Sequence, residues 1–273
     1  MADDCDEAAP ASVATQLMMR IPSVRVASIV LLTGLSTVCF PQTDPQPGWT
    51  GSTTTRVKPE MRREFEASLK QLMAAYKRSG VPWFLTLQNF AGETTEYTTV
   101  VPVARFGDLD GPPVVVKLLG EQRWGNLSRK LDRCYTTQTR QYAARQPELE
   151  INKVDAPLGI YWLETRTFVA QGRMDDYLTW IKNEYLPALE KAGVARFFVS
   201  RPIFGGEGGE VVSSRMLKNL AEIDGGPVLT KALGEEGARA VNAKSVALVR
   251  SSITRIVLVR TDLTYSTAVP PAN

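Results

Sequence analysis

Several residues are of types that could do chemistry. Asp108 and Asp110 stand two apart and read as an acid pair, and Asp175 adjoins Asp176. A Gly-Gly-Glu-Gly-Gly run at 205–209 has the outward look of a phosphate loop. Trp83, Tyr97, Trp124 and Asn126 make a polar-aromatic set able to stack on a planar ligand. Each has a plainer reading. Asp110 and Asp224 precede proline-started helices, where a capping carboxylate is ordinary. Asp175 and Asp176 open a helix and favour its dipole. The glycine run lacks a following Lys-Ser/Thr and opens onto a strand, so a hairpin loop explains it better. For the polar-aromatic set the plainer reading, and the favoured one, is that the aromatics on sheet and helix are core.

An absence limits the chemistry more than these residues suggest it. The 273 residues include no histidine. The commonest general base near neutral pH, the commonest metal ligand and the usual proximal ligand of haem are missing. Ser-His-Asp and Cys-His catalysis and His-based zinc sites cannot be built. Neither a metal nor another cofactor is expected. The net charge is +3 without a concentrated basic run, which argues against a nucleic-acid partner.

The elements that must position these residues occur twice. Met61, Phe65, Leu69, Leu72 and Tyr76 recur at helical spacing and end at Gly80-Val81; Met174, Leu178, Ile181, Tyr185 and Leu189 end likewise at Gly193-Val194. Both glycines suit a left-handed helix end. Farther on, Asp110-Gly111, Pro113, Lys117 and Leu119-Gly120-Glu121 return as Asp224-Gly225, Pro227, Lys231 and Leu233-Gly234-Glu235, all 114 residues later. Each copy reads as strand (53–58; 159–169), helix, hairpin (83–90 with 96–104; 196–202 with 210–216), a helix broken at its glycine (113–138; 227–247) and a last strand (139–150; 252–265). Alternation of Ile253, Val257, Val259 and Leu263 against Thr254, Arg260 and Asp262 predicts a sheet with one buried side.

The fold expected is α+β. Two tandem ferredoxin-like β-α-β-β-α-β units place their antiparallel sheets face to face as an intramolecular pseudo-dimeric α/β barrel. The units are 53–151 and 158–266, with a linker at 41–52 and a tail at 267–273. Residues 1–40 read as an N-terminal extension and signal peptide. Arg20 and Arg25 flank an apolar run from Val26 to Val38, too short for a comfortable membrane span. The mature protein is therefore expected to be exported, periplasmic or secreted, with no membrane span. Cys134 is then its one cysteine.

Val-Lys-Pro-Glu-Met (57–61), Leu-Gly-Glu-x-x-Trp (119–124) and Leu-Pro-Ala-Leu-Glu-Lys-Ala-Gly-Val (186–194) resemble the dimeric α/β-barrel superfamily, and within it tandem NIPSNAP-like exported bacterial proteins. The resemblance spans about 52–265. It implies a fold more than an activity, because that superfamily hosts many chemistries. Its haem enzymes, the chlorite dismutases and dye-decolourising peroxidases, hold iron through histidine. Its cofactor-free oxygenases use Trp, Asn and Tyr around a polyphenol, the residue types of Trp83, Tyr97, Trp124 and Asn126. Two readings follow. The first is a non-enzymatic or ligand-binding module whose barrel holds a small apolar or aromatic molecule; the second is a cofactor-free monooxygenase or isomerase acting on such a molecule. Lack of an evident acid/base pair favours the first. A site is expected in the first copy, between its sheet and the broken helix, where Trp83 and Trp124 replace Arg196 and Ala238. A monomeric pseudo-dimer is expected, with a homo-oligomer left open as the alternative.

Overall fold

The computed structural model describes residues 48–153 and 159–267. The expected leader, most of the linker and most of the tail lie outside the described residues. The first half comprises β1 (Trp49–Val57), α1 (Arg62–Arg78), β2 (Trp83–Asn89), β3 (Glu96–Val103), α2 (Val114–Leu119), α3 (Glu121–Asp132), β4 (Tyr135–Arg145) and a short β5 (Ile151–Asn152). The second comprises β6 (Tyr161–Val169), α4 (Met174–Trp180), α5 (Leu186–Lys191), β7 (Arg196–Phe204), β8 (Glu210–Leu217), α6 (Ala221–Asp224), α7 (Val228–Val246), β9 (Val249–Val259) and β10 (Tyr265–Ser266). A π-helical turn, Ile181–Tyr185, joins α4 to α5.

The repeated glycines do the same local work in both halves. The amides of Gly80 and Val81 return to the carbonyls of Lys77 and Tyr76, and those of Gly193 and Val194 to Glu190 and Leu189. Gly120 (φ 76°, ψ 156°) separates α2 from α3, and Gly234 (φ 72°, ψ 175°) kinks α7. A side chain is disfavoured in that region of backbone space, so glycine sets each break. The expected caps are not formed. Pro113 and Pro227 occupy the N-cap positions of α2 and α7 without a side-chain bond, and Asp224 lies at the end of α6.

Each half orders its strands fourth, first, third, second: β4-β1-β3-β2 and β9-β6-β8-β7. The two sheets do not simply face each other, as the sequence suggested. β4 pairs antiparallel with β7, and β2 with β9, closing eight strands into one barrel. Two open sheets would leave four rows of unpaired backbone groups; closure satisfies them. The last strand of the first half begins at Tyr135, earlier than its sequence implied, because the broken helix ends at Asp132.

Beyond β4 and β9 the chain crosses to the other half. A 3-10 turn (Pro147–Leu149) leads to β5, which pairs with β7; its counterpart (Thr261–Leu263) leads to β10, which pairs with β2. The helices cover the barrel's outer surface with two main cores. Val57, Phe65, Leu69, Phe84, Tyr97 and Cys134 build the first, joined by Leu263 from the second half. Tyr177, Ile181, Leu189, Phe197 and Val211 build the other, joined by Leu149 and Ile151 from the first half. Burying each such leucine contributes about 1.5–3 kcal/mol. Among the described residues no helix is long and apolar enough to cross a membrane.

Candidate functional site

The four residues singled out from the sequence go to different places. Trp83 faces the barrel lumen. Tyr97 lies on the opposite face of the sheet, fully buried beneath α1, and its hydroxyl donates to Glu66 Oε1 (2.6 Å). Trp124 is half-buried on α3. Asn126 is exposed on the same helix, where its Oδ1 accepts from Arg129 (2.5 Å). They do not share one cavity. The space expected between the first sheet and the broken helix is filled by Phe65, Leu69, Leu131 and Cys134. What opens there is an outer groove between α1 and α3, edged by Lys77, Arg123, Asn126 and Lys130.

The lumen holds a cavity of about 390 Å³, built by strands of both halves, within the ~300–1,000 Å³ typical of small-molecule sites. Alternation turns Trp83, Leu85 and Leu87 of β2 inward, and likewise Trp162, Glu164 and Arg166 of β6. Phe198 and Met216 extend the apolar wall. Trp162 is fixed by its Nε1–H donating to the Gly159 carbonyl (3.0 Å). Tyr265 instead turns its ring outward onto Phe84, its hydroxyl donating to the Val81 carbonyl (2.9 Å). Burial pushes the Tyr265 phenol up to about 12.

One wall of the cavity is charged. Glu164 accepts from Arg255 Nη2 (2.7 Å) and Nε (2.9 Å), and Arg166 Nη1 donates to Glu210 (3.0 Å). Arg255 also donates to Glu96 (2.7 Å), which accepts from Asn89 (3.2 Å). Glu164 and Glu210 are buried, so each depends on a guanidinium to offset desolvation. Although burial works against its charge, Glu164 and Glu96 raise the Arg255 pKa above its ordinary value. At the rim the crossing arm supplies Glu150, which accepts from Arg145 Nη2 (2.6 Å) and Nε (3.3 Å), and Asn152, which accepts from Arg196 (2.5 Å).

A second polar cluster lies outside the barrel. Glu66 accepts from Arg260 (2.5 Å), Tyr97 and Arg62 (3.2 Å). Its hydrogen bond with Arg260 is the largest influence, and its carboxyl is held down at about 2. The Tyr97 phenol is pushed up to about 12, mainly by burial. In the second half, Tyr177, Trp180, Tyr185 and Phe197 edge a cleft of about 450 Å³ between the π-helical turn and the sheet. Among the described residues no three His, Cys, Asp or Glu side chains form a metal-holding group.

Sequence reasoning passed over Trp162, Glu164, Arg166, Arg145 and Glu150. The period-two placing of Trp162, Glu164 and Arg166 was the available signal. The glycine run at 205–209 is the β7–β8 loop, as expected; a Cβ on Gly205 would lie 2.1 Å from the Arg140 carbonyl oxygen, so the run lets this loop pack on β4. Chemically, the lumen joins flat apolar surface to guanidinium and carboxylate groups shielded from bulk water.

No protein-family model matches the chain, and no curated protein matches it in sequence. Solved structures do match. A proposed monooxygenase from Lactobacillus acidophilus is 10% identical, with 80% of this chain and 96% of that one covered and a TM-score of 0.57. An anthrone oxidase-like protein is 13% identical over 84% and 98% of the two chains, with a TM-score of 0.54. A mutant chlorite dismutase from Candidatus Nitrospira defluvii is 9% identical over 80% and 93%, at 0.53. The expectation of a non-enzymatic module is corrected by these neighbours, of which one is described as a proposed monooxygenase and another as anthrone oxidase-like. At such identities the likeness is one of fold, and the chain has the closed antiparallel barrel consistent with the dimeric α+β barrel fold.

Proposed function

We propose that this chain is a cofactor-independent oxygenase acting on a small planar aromatic molecule held in the barrel lumen. The lumen cavity carries the reading: tryptophan and phenylalanine walls beside guanidinium groups suit an aromatic enolate. Such an anion can pass electrons to dioxygen directly. For an anthrone-type ring the balance is simple: a CH₂ becomes C=O, one oxygen atom enters the substrate and the other leaves as water, and the substrate supplies all four electrons. Likeness of fold to an anthrone oxidase-like protein supports that substrate class. A haem route through a histidine ligand is closed, because the chain contains no histidine.

The test is oxygen uptake with anthrone, measured above the spontaneous rate on chelator-treated protein without added flavin. Uptake that disappears when Ser214→Phe fills the lumen is the expected result. No protein-dependent uptake across a panel of anthrones and quinols would sink the reading.

The halves are best read as two diverged ferredoxin-like copies, supported by equal strand order, equal glycine conformations and crossing arms set 114 residues apart. Export belongs to the same proposal and rests on the Arg-flanked apolar run at 26–38. Mass spectrometry of the protein from its source is expected to find residues 1–40 removed; an intact leader on cytosolic protein would contradict it.

A further inference from the structure

We propose that Arg145 and Glu150 form the polar anchor of the lumen, selecting planar aromatics that carry a hydroxyl beside a keto or enolate oxygen. This rests on the lumen being the substrate site. The argument comes from the two crossing arms, which occupy corresponding places at the cavity rim. One arm brings Arg145, Glu150 and Asn152 to the lining; the other brings Val259, Thr264 and Ser266. The register makes them equivalent: Asn152 stands opposite Arg196 on β7 as Ser266 stands opposite Trp83 on β2.

The arm whose lumen face is neutral closes its end of the barrel there with small polar bonds. Thr264 Oγ1 accepts from the Thr86 amide (3.0 Å), and Thr86 donates to the Leu263 carbonyl (2.7 Å). That arm's ion pairs, Arg260 with Glu66 and with Asp262, lie outside the barrel, so the lumen face of an arm closes without one. The charged arm nevertheless places one against the cavity, with the Glu150 side chain only 6% exposed. Burying such a pair costs desolvation that neutral residues would avoid. A forked guanidinium beside a carboxylate sets donor and acceptor side by side in a plane. A ring bearing adjacent hydroxyl and keto oxygens presents the complement: Arg145 donates to the keto or enolate oxygen, and Glu150 accepts from the hydroxyl. Trp83 and Trp162 give the ring a surface to stack on.

The experiment titrates the full chain with 1,8-dihydroxyanthraquinone and with unsubstituted anthraquinone, following the tryptophan quenching that Trp83→Phe and Trp162→Phe remove. The expected result is a preference of about tenfold or more for the dihydroxy compound. The double variant Arg145→Val/Glu150→Thr, which copies the neutral arm, is expected to lose that preference while still binding anthraquinone. Equal binding of both compounds by the unaltered protein overturns the anchor and leaves the lumen as a site. A preference that survives in a folded double variant also overturns it. Quenching by neither compound overturns the lumen reading itself. The first comparison needs no variant, so a double variant that fails to fold does not block the test.

Discussion

Glu66 shows what a single side chain contributes outside the lumen. It ties α1 to Arg260, at the start of the arm arriving from the other half. Its carboxyl lies at about 2 in the fold, against an ordinary 4.5. A folded-state value below the unfolded one stabilises the fold above about pH 4.5, and that contribution is lost as the pH falls through about 2. Glu66→Gln is therefore expected to lower the thermal midpoint at pH 6, with the gap to the unaltered protein closing toward pH 2. Tyr97→Phe removes one bond to this carboxylate and no packing volume, a loss of about 1–2 kcal/mol by urea unfolding. Tyr97 also shows why the site was only partly legible. Residue types suggested grouping it with Trp83, but Tyr97 pairs across the hairpin with Gln88, and Gln88 and Trp83 lie on opposite faces of β2. Which face looks inward depends on strand register, and composition does not reveal register.

At the scale of elements, local chemistry was easy to read and non-local pairing was not. Glycines ending α1 and α5 and breaking α7 act through their own backbone, so their repeat was visible in the sequence. The β4–β7 and β2–β9 pairings join strands from different halves, and no short-range pattern announces them. The helix breaks can be tested directly. A Cβ at Gly120 or Gly234 would meet nothing within 4 Å, so an alanine there would suffer backbone strain without a clash. Gly120→Ala and Gly234→Ala are each expected to cost about 1–3 kcal/mol in denaturant unfolding. A neutral result at both would mean that the two breaks relax into continuous helix.

For the whole molecule, the crossing arms decide whether two halves behave as one. Leu149 belongs to the first half by sequence and to the core of the second by packing; Leu263 has the reverse placement. Both are almost completely buried, at 2% and 0% exposure. Each half thus lacks part of its core until the other is folded, and each also leaves two strand edges open without its partner. Neither half is expected to persist alone. Leu149→Ala and Leu263→Ala should each lower stability by about 2–5 kcal/mol, the range for a leucine truncated in a packed core. The more telling outcome is the shape of the curve. In urea, circular dichroism and tryptophan fluorescence should report one coincident transition for the parent and for both variants, moved to lower urea in the variants. If Leu263→Ala instead split the transition, with one half melting ahead of the other, the arms would be mere attachments and the barrel two domains touching at their edges.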